Sequence, residues 1–254
     1  MLNGKNVIVT GALQGIGKVT VETFAAQGAN LWACALQPSQ EFEEFCYDLS
    51  AKHGVWIKPI YFNLLNQDEI KAAIKSIQSD KQPIDGLVNI AGMAKDALFN
   101  MVSMDTIKQV FEINLFSQIY LSQFVTKLML RNGKGSIVFV SSISALDGNV
   151  GQLAYSASKA ALIGAMRTMS KELAAKGIRV NAIAPGVIDT DMNKVVPAEV
   201  IAEKVKKMDI KRLGTPEEVA NTLAFLISDY SDYVTGQVLR IDGGIRSCNR
   251  SCLK

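Results

Sequence analysis

Two residues of the chain, Tyr155 and Lys159, have types and a spacing that suit proton transfer. They stand four residues apart in a run predicted to be helical over 153–176, so both side chains lie on one helical face. A phenol has a reference pKa of ~10, and a nearby ammonium favours its ionised form and makes it a stronger acid. The pair suits the proton-transfer half of carbonyl reduction or alcohol oxidation. Because such a pair is also common on helix surfaces, its weight depends on partners elsewhere.

A glycine-rich segment near the N-terminus predicts a phosphate-binding loop. The β-branched run 5–10 ends in Gly11, and Gly15, Ile16 and Gly17 then open an amphipathic helix. Glycines let backbone amides approach a pyrophosphate, and the start of a helix supplies positive dipole. The spacing, Thr-Gly-x-x-x-Gly-x-Gly, differs from the usual Gly-x-Gly-x-x-Gly, but its context is that of a βαβ unit. The segment therefore predicts a bound dinucleotide.

The elements that must position these residues follow from an alternation of short β-branched runs with helical patterns. Strands are predicted near 5–10, 30–35, 55–61, 85–89, 135–141, 178–184 and 237–241. This pattern predicts an α/β fold, a single Rossmann-type domain over 1–244 whose doubly wound parallel sheet of about seven strands carries helices on both faces. Ligands of such sheets bind beyond the carboxyl ends of the strands. Four residues of interest are expected there: Gly11, Asn89, Ser142 and Pro185.

Composition and charge exclude several classes of function. Lys+Arg 27 against Asp+Glu 24 gives a net charge of +3, and the basic C-terminal tail 245–254, with Arg246, Arg250 and Lys254, accounts for that excess. The near-neutral body argues against nucleic acid or an anionic membrane as a partner. The N-terminus lacks a charged-then-apolar leader, and no apolar run approaches the ~18 residues of a membrane span. We expect a cytoplasmic protein.

Histidine and cysteine usage narrows the chemistry further. The single histidine, His53, precedes Gly54 at a predicted helix C-terminus, so hydrolysis by a Ser-His-Asp triad and His-ligated zinc are improbable. Cys34 and Cys46 are expected to be buried in the second strand and the following helix. Cys248 and Cys252 lack two further ligands nearby, so no metal is expected.

Taken together, these features resemble the short-chain dehydrogenase/reductase family over about 5–244. The matching motifs, in chain order, are Thr10-Gly11 to Gly17, Asn63-Leu64, Asn89-Ile90-Ala91-Gly92, Asn114, Ser141-Ser142, Tyr155 with Lys159, and Asn181-Ala182-Ile183-Ala184-Pro185-Gly186. Within the family, segments 92–96, 148–152 and 233–237 look most like bacterial 3-oxoacyl-(acyl-carrier-protein) reductases. The resemblance implies hydride transfer between a nicotinamide and a carbonyl or alcohol.

The resemblance also implies roles for four catalytic residues. Ser142 would hydrogen-bond the substrate carbonyl, and Tyr155 would donate the proton to the developing alkoxide. Lys159 would lower the pKa of Tyr155 and bind the nicotinamide ribose. Asn114 would bend its helix and hold a water that relays protons towards Lys159, although an amide competing locally with helix hydrogen bonds is the alternative explanation.

For the cofactor, the family pattern implies three groups of contacts. Asn63-Leu64 would meet adenine, Asn89 would brace the fourth strand, and Ala91-Gly92 would pass close to the adenosine ribose. The nicotinamide carboxamide would be held after Pro185-Gly186 by Thr190 and the Ile188 amide. The phosphate loop contributes Gly11, Gln14, Gly15, Ile16 and Gly17, and the ribose contacts include Tyr155 and Lys159.

Two departures from the family pattern bear on the cofactor. The second Asn of the common Asn-Asn-Ala-Gly is Ile90. The acid that usually ends the second strand of NAD-dependent relatives is absent from Ala35-Leu36-Gln37, and the basic residue of NADP-dependent ones is absent too. With no carboxylate to repel a 2′-phosphate, NADP(H) is favoured over NAD(H), with Gln14 and Ser39 as hydrogen-bonding partners.

The substrate side lies in loops near 93–99, 144–153 and 191–212. The last carries Met192, Val195 and Val196 and a predicted helix over 197–208, which favours a lid over an apolar pocket against an ordinary surface helix. Three basic residues expected near the active-site face are solvated or meet an acidic carrier: Arg131, Lys134 and Lys176.

The sequence therefore predicts an NAD(P)(H)-dependent reductase or dehydrogenase of a small-molecule or carrier-linked carbonyl, most like a 3-oxoacyl-carrier reductase. A keto-sugar or polyol dehydrogenase is the nearest alternative, and a non-catalytic dinucleotide-binding protein the remote one. A homotetramer is expected through one face of the helix at 153–176 and the strand at 237–241. The face comprises Ala157, Ala161, Ala165 and Met169.

Overall fold

The computed structural model describes residues 1–190 and 198–245. Among these, seven parallel strands form one sheet in the order β3-β2-β1-β4-β5-β6-β7. The strands are β1 Asn6–Thr10, β2 Asn30–Ala35, β3 Ile57–Tyr61, β4 Gly86–Asn89, β5 Gly135–Val140, β6 Ile178–Pro185 and β7 Val238–Ile241. Each predicted strand is present, and the predicted doubly wound α/β sheet is confirmed.

Helices fill the connections between the strands. They are α1 Gly15–Ala26, α2 Gln40–His53, α3 Gln67–Ser79, α4 Met104–Phe111, α5 Ser117–Asn132, α6 Ser144–Asp147, α7 Leu153–Leu173, α8 Ala198–Lys206 and α9 Pro216–Ile227. A π-helical turn, Glu112–Phe116, joins α4 to α5, and 3₁₀ turns cover Ala174–Lys176 and Asp229–Ser231. The helix predicted at 153–176 is α7 with its 3₁₀ end. The predicted lid residues 191–197 and the tail residues 246–254, including Cys248 and Cys252, lie outside the described residues.

Hydrophobic cores cover both faces of the sheet because successive strand side chains point to opposite sides. Val7 and Val9 of β1 pack on one side with α1, α2 and α9. Ile8 packs on the other side with α3, α5 and α7. All three side chains are fully buried, and burying one such aliphatic side chain contributes roughly 1.5–3 kcal/mol. This two-sided burial explains why the strands are continuous apolar runs.

The order in which strands are added to the sheet reverses between β1 and β4. It moves outward from β1 to β3, returns to the other side of β1 as β4, and continues to β7. Thr10 pairs in register with Cys34 on one side and with Asn89 on the other. Ligands of open α/β sheets bind at such a switch point, so the carboxyl end of β1 is where a site is expected.

Smaller sequence predictions are also met. His53 ends α2, and Gly54 caps that helix in the left-handed conformation with φ of 66°. Cys34 and Cys46 are buried, and burial raises the pKa of the Cys46 thiol to about 12. Of the helices that the structure describes, none has the length and apolarity to cross a membrane.

Candidate active site

Four predicted catalytic residues meet at the carboxyl edge of the sheet. Ser142 follows β5, Tyr155 and Lys159 lie in the first two turns of α7, and Asn114 lies in the π-helical turn. Gly92 marks their meeting point, because a Cβ built on it would lie 3.1 Å from Asn114 Oδ1 and 3.2 Å from Lys159 Nζ. Residues distant in the sequence therefore share one cleft.

Tyr155 is set up as a protonated phenol. Burial raises its pKa, the interaction with the Ser142 hydroxyl opposes that rise, and the negative charge of Asp96 adds to it. Ser142 is itself oriented, since its Oγ accepts a hydrogen bond of 3.1 Å from the Ser144 amide. A phenol that stays protonated at neutral pH has the form that a proton donor needs.

Lys159 is almost fully buried, with 2% of its surface exposed. Its ammonium donates to the Val140 carbonyl at 2.7 Å and lies 5.9 Å from the centroid of the Tyr155 ring. Burial lowers the pKa of Lys159 to about 8. Burial is the largest influence on the pKa of the phenol, and that pKa is raised. The expectation that Lys159 lowers the pKa of Tyr155 stays a prediction.

Asn114 fastens the loop after β4 to the helix that follows it. Its Oδ1 accepts from the Met93 amide at 2.8 Å, and its Nδ2 donates to the Met93 carbonyl at 2.9 Å. Nδ2 also donates to Ser158 Oγ at 3.1 Å, and Ser158 in turn donates to the Tyr155 carbonyl. The predicted irregularity of this helix is present as the π-helical turn, whereas the water relay stays a prediction.

The glycine loop forms a cradle whose shape excludes side chains. A Cβ on Gly17 would overlap the Gly11 carbonyl, and one on Gly11, where φ is 71°, would lie 2.9 Å from the Ala91 amide. Gln14 precedes α1 in an extended conformation and makes no side-chain cap. Among the described residues, no side chain accepts a hydrogen bond from the first amides of α1, at Gly15, Ile16 and Gly17, as an anion site requires. These residues fit the pyrophosphate of a dinucleotide.

The residues expected at the adenine side are held in defined turns. Asn63 Oδ1 accepts from the Leu65 amide at 2.9 Å, and the Leu64 carbonyl accepts from the Ser117 hydroxyl of α5. Asn89 ends β4 and donates to Ser122 Oγ at 3.2 Å, which ties the strand to α5.

The residues expected at the nicotinamide side lie next to the phosphate cradle. The Gly186 amide donates to the Ile241 carbonyl at 2.8 Å, and a Cβ on Gly186 would lie 2.8 Å from Asp242 Cα. The Pro185 carbonyl accepts from the Ile143 amide at 3.1 Å, next to Ser142. Ile188 pairs with Gly214 in an isolated bridge. The side chain of Thr190 approaches within 3.8 Å of the position of a Cβ on Gly15.

The segment after β2, where a 2′-phosphate would be distinguished from a hydroxyl, is neutral over 35–40. Ser39 is the N-cap of α2, and its Oγ accepts from the Phe42 amide at 3.2 Å. The hydroxyl hydrogen of Ser39 is still available for donation. The nearby acids of α2 begin at Glu41.

A hydrogen-bonded network joins two of the substrate loops. Gln152 Oε1 accepts from Ser144 Oγ and from Asn149 Nδ2, each at 3.0 Å, and its Nε2 donates to Asp96 at 3.1 Å. Ala97 and Gln152 also form a parallel bridge. The third loop, 191–212, contains α8, which corresponds to the helix predicted over 197–208. Beyond α8, the amides of Asp209 and Ile210 donate to the Gly243 carbonyl.

The basic residues expected near the active-site face lie at the opposite edge of the sheet. Lys134 immediately precedes β5 and pairs with Asp85 at 3.6 Å, while Arg131 and Lys176 lie at the same amino edge of the sheet. The expectation was wrong because helices antiparallel to the strands end where the strands begin. A cavity of about 720 Å³ lies at this edge, and its cations are already paired, for example Lys5 with Asp229 at 2.7 Å.

The sequence patterns did not predict the role of Thr10, and they did not place Ser158 or Gln118 in the site. Thr10 Oγ1 accepts from the amides of Ile90 and Ala91, although only its place in the glycine motif pointed to it. Ser158 and Gln118 lack any motif signal. The structure shows that both side chains are buried, where a polar group needs a hydrogen-bond partner.

Comparisons with known proteins agree with this geometry. A family model described as "Enoyl-(Acyl carrier protein) reductase" matches residues 11–246. The 3-oxoacyl-[acyl-carrier-protein] reductase of Thermotoga maritima is 39% identical over 244 residues, covering 96% of this chain and 98% of the relative. That of Aquifex aeolicus is 36% identical with the same coverage.

Solved structures show the same fold. A 3-oxoacyl-[acyl-carrier protein] reductase from Brucella melitensis matches with a TM-score of 0.89 and 30% identity, covering 96% of this chain and 91% of that one. L-Sorbose reductase from Gluconobacter frateurii, solved with NADPH and L-sorbose, has a TM-score of 0.89 and 27% identity, with 96% and 97% covered. The chain therefore belongs to the short-chain dehydrogenase/reductase family. It is an oxidoreductase that uses NAD(H) or NADP(H).

Proposed function

We propose that the protein reduces a 3-oxoacyl thioester, carried by an acyl carrier protein or coenzyme A, with NADPH. The observation that supports this most is the convergence of Ser142, Tyr155 and Lys159 beside a glycine cradle that admits a pyrophosphate. The names of the relatives supply the substrate class, since the two curated proteins described above are each named a 3-oxoacyl-[acyl-carrier-protein] reductase.

In this proposal the chain's own residues place the carbonyl and move one proton. The Ser142 hydroxyl donates a hydrogen bond to the substrate carbonyl oxygen, and the Tyr155 phenol donates its proton to that oxygen as negative charge develops. Lys159 binds the nicotinamide ribose, and Asn114 holds the loop at Met93 in place. The nicotinamide, when bound, supplies the hydride.

The cofactor contacts are proposed for the residues that the family pattern implies, and the geometry of the glycine loop supports them. The amides of Gly15, Ile16 and Gly17 and the close approach allowed at Gly11 suit the pyrophosphate. Asn63-Leu64 and Asn89 to Gly92 then meet the adenosine half. Pro185, Gly186, Ile188 and Thr190 meet the nicotinamide half.

The preference for NADPH over NADH is proposed to be modest. Gln14 and Ser39 offer a 2′-phosphate neutral hydrogen bonds rather than an ion pair, and no acid lies between Ala35 and Gln40 to repel it. Gln14→Arg is expected to sharpen the preference. Kinetics with both cofactors test this, and an NADH preference above about tenfold in the wild type would contradict it.

The decisive assay uses acetoacetyl-CoA as a surrogate for the carrier-linked substrate. The purified protein with NADPH is expected to reduce it, followed as loss of nicotinamide absorbance, faster than it reduces L-sorbose or a simple ketone. Turnover of keto-sugars without turnover of thioesters would favour the second candidate, a keto-sugar or polyol dehydrogenase. The fold match to L-sorbose reductase supports that second candidate.

The organisation of the chain is proposed on separate grounds. One domain over 1–244 is supported by a single sheet from Asn6 to Ile241, and limited proteolysis confined to 245–254 would test it. A cytoplasmic location agrees with the unbridged thiols of Cys34 and Cys46. A homotetramer is also proposed.

A further inference from the structure

The segment from Ile90 to Met93 forms the wall of the cleft between the glycine loop and Lys159. A Cβ built on Gly11 would lie 2.9 Å from the Ala91 amide, and one built on Gly92 would lie 3.2 Å from Lys159 Nζ. The position of this short segment therefore sets the distance between the phosphate cradle and the catalytic lysine.

Side chains from other elements form hydrogen bonds with individual backbone amides and carbonyls of this segment. Thr10 Oγ1 accepts from the amides of Ile90 and Ala91, at 3.0 and 3.2 Å. Asn114 binds both the amide and the carbonyl of Met93. The Ala91 carbonyl accepts a hydrogen bond of 2.6 Å from Nε2 of Gln118, in the first turn of α5. Thr10 and Asn114 belong to recognised motifs, and Gln118 belongs to none.

Gln118 is 1% exposed, and its second polar atom argues that the side chain does more than fill space. Oε1 is buried and has no hydrogen-bond partner among the described residues. An unpaired buried acceptor destabilises the folded state, and a methionine would occupy nearly the same volume without it. The contribution that distinguishes Gln118 from an apolar residue is its donor to Ala91.

We propose that Gln118 is a positioning residue for the dinucleotide, acting through the Ala91 carbonyl to keep Gly92 beside Lys159. Ile90 has an aliphatic side chain, so the side-chain hydrogen bonds that restrain this segment come from β1, the π-helical turn and α5. The inference rests on the proposed NADPH-dependent function but does not depend on which carbonyl is reduced.

The test is NADPH binding to the full chain with Gln118→Met, measured by nicotinamide fluorescence. The dissociation constant and the KM for NADPH are expected to rise about tenfold, the equivalent of one well-formed hydrogen bond to a group that is then left unpaired. At saturating NADPH, kcat and the KM for acetoacetyl-CoA are expected to stay within about twofold. The melting temperature is expected not to fall, because the variant also removes an unpaired oxygen.

Thr126→Val is the matched control. Thr126 lies two turns further along α5, and its buried hydroxyl also has no partner in the described part of the chain. Its removal should leave NADPH affinity unchanged. Wild-type affinity in Gln118→Met, or an equal loss of affinity in Thr126→Val, would overturn the inference alone. A wild-type protein that binds neither NADPH nor NADH would overturn the proposed function as well.

Discussion

At the scale of single residues, the site combines an acid that burial keeps protonated with a lysine that burial makes easier to deprotonate. The pKa of Tyr155 is raised and that of Lys159 is lowered to about 8, so the two groups are neutral together over part of the alkaline range. Reduction needs the phenol protonated, whereas binding of an anionic cofactor benefits from the ammonium. The two residues should therefore respond differently to substitution and to pH.

Tyr155→Phe is expected to lower kcat by at least ~100-fold and to leave the NADPH dissociation constant within a few-fold. General acid catalysis contributes on this scale, and the ring that packs in the cleft is retained. Steady-state kinetics with a fluorescence titration separate the two effects. Tyr230→Phe, at a site that is 76% exposed, is the control for loss of a phenol and should behave as wild type. Near-normal turnover of Tyr155→Phe would refute the role.

NADPH affinity is expected to weaken as pH rises through about 8. Below that pH Lys159 carries its charge in the protein, and above it the charge is lost unless the bound cofactor restores it. Dissociation constants measured from pH 6.5 to 9.5 test this. Lys159→Met should bind more weakly throughout and should lack this alkaline dependence. The same dependence in Lys159→Met would assign it to another group.

The lowered pKa of Lys159 also makes the free energy of unfolding depend on pH. Between about 8 and the ordinary value of 10.5, the unfolded chain binds more protons at this position than the folded one. The contribution of Lys159 to the free energy of unfolding therefore increases as pH rises over that window. Burial of the charged Lys159 therefore destabilises the folded protein at neutral pH, although the proposed cofactor binding needs that charge.

At the scale of elements, the start of α9 anchors the segment that follows α8. Thr215 and Glu218 form a capping box, and Arg212 forms a bidentate ion pair with Glu218. The hydrogen bond from Arg212, followed by that from the Thr215 amide, holds the pKa of Glu218 at about 2. Glu218 thus supports the fold above its ordinary pKa of 4.5 and loses that effect as pH falls towards 2.

Thr215→Ala is expected to reduce the free energy of unfolding by about 1 kcal/mol, because it removes an N-cap. Urea unfolding measures the change. Thr222→Ala provides the control within the same helix, since its hydroxyl donates only to the Glu218 carbonyl one turn back. Its effect should stay within ~0.5 kcal/mol. Equal losses in both variants would mean that the cap contributes nothing specific.

The sequence predicted these elements well where local pattern and burial agree. The central strands β1, β2, β4, β5 and β6 are mostly apolar and buried on both faces, so their identity follows from composition. The ends of all seven strands differ from the predicted bounds by at most two residues. The π-helical turn at Glu112–Phe116 was not predictable as such. It is set by the contacts of Asn114 with Met93, which join residues 21 positions apart.

The candidate site also has features that the sequence predicted and features that it did not. The glycine loop and the Tyr155 and Lys159 pair were found because their chemistry depends on local spacing. The hydrogen bond from Lys159 to Val140 and the placement of Lys134 away from the cleft depend on how separate elements pack. A single sequence carries no direct signal for either.

At the scale of the whole molecule, the α4 to α5 side and α7 both present apolar side chains to solvent. Met104 and Phe116 are 63% and 52% exposed on the α4 to α5 side, and Ala157 is exposed on α7, whereas Met169 of the same helix packs partly on the core. β7 is an edge strand of the sheet that the structure describes. Both features suit contacts between copies of the chain.

The protein is expected to be a homotetramer at micromolar concentration, measured by light scattering. Phe116→Glu should shift the population to smaller species, because it places a charge on apolar surface that association would bury. Tyr47→Glu, which changes an aromatic residue that is 74% exposed on α2, should leave the mass unchanged. A monomeric wild type would contradict the expectation.

The π-helical turn bears on how this part of the chain tolerates changes in length. Such a turn contains one residue more than an α-helical turn, which rotates the helix beyond it by about 100° relative to a regular continuation. Substitution at exposed Phe116 leaves that offset intact. Deletion of a single residue at Ile113 would restore a continuous helix and swing Asn114 away from Met93. The number of residues between α4 and α5 is therefore fixed by the contact of Asn114 with Met93.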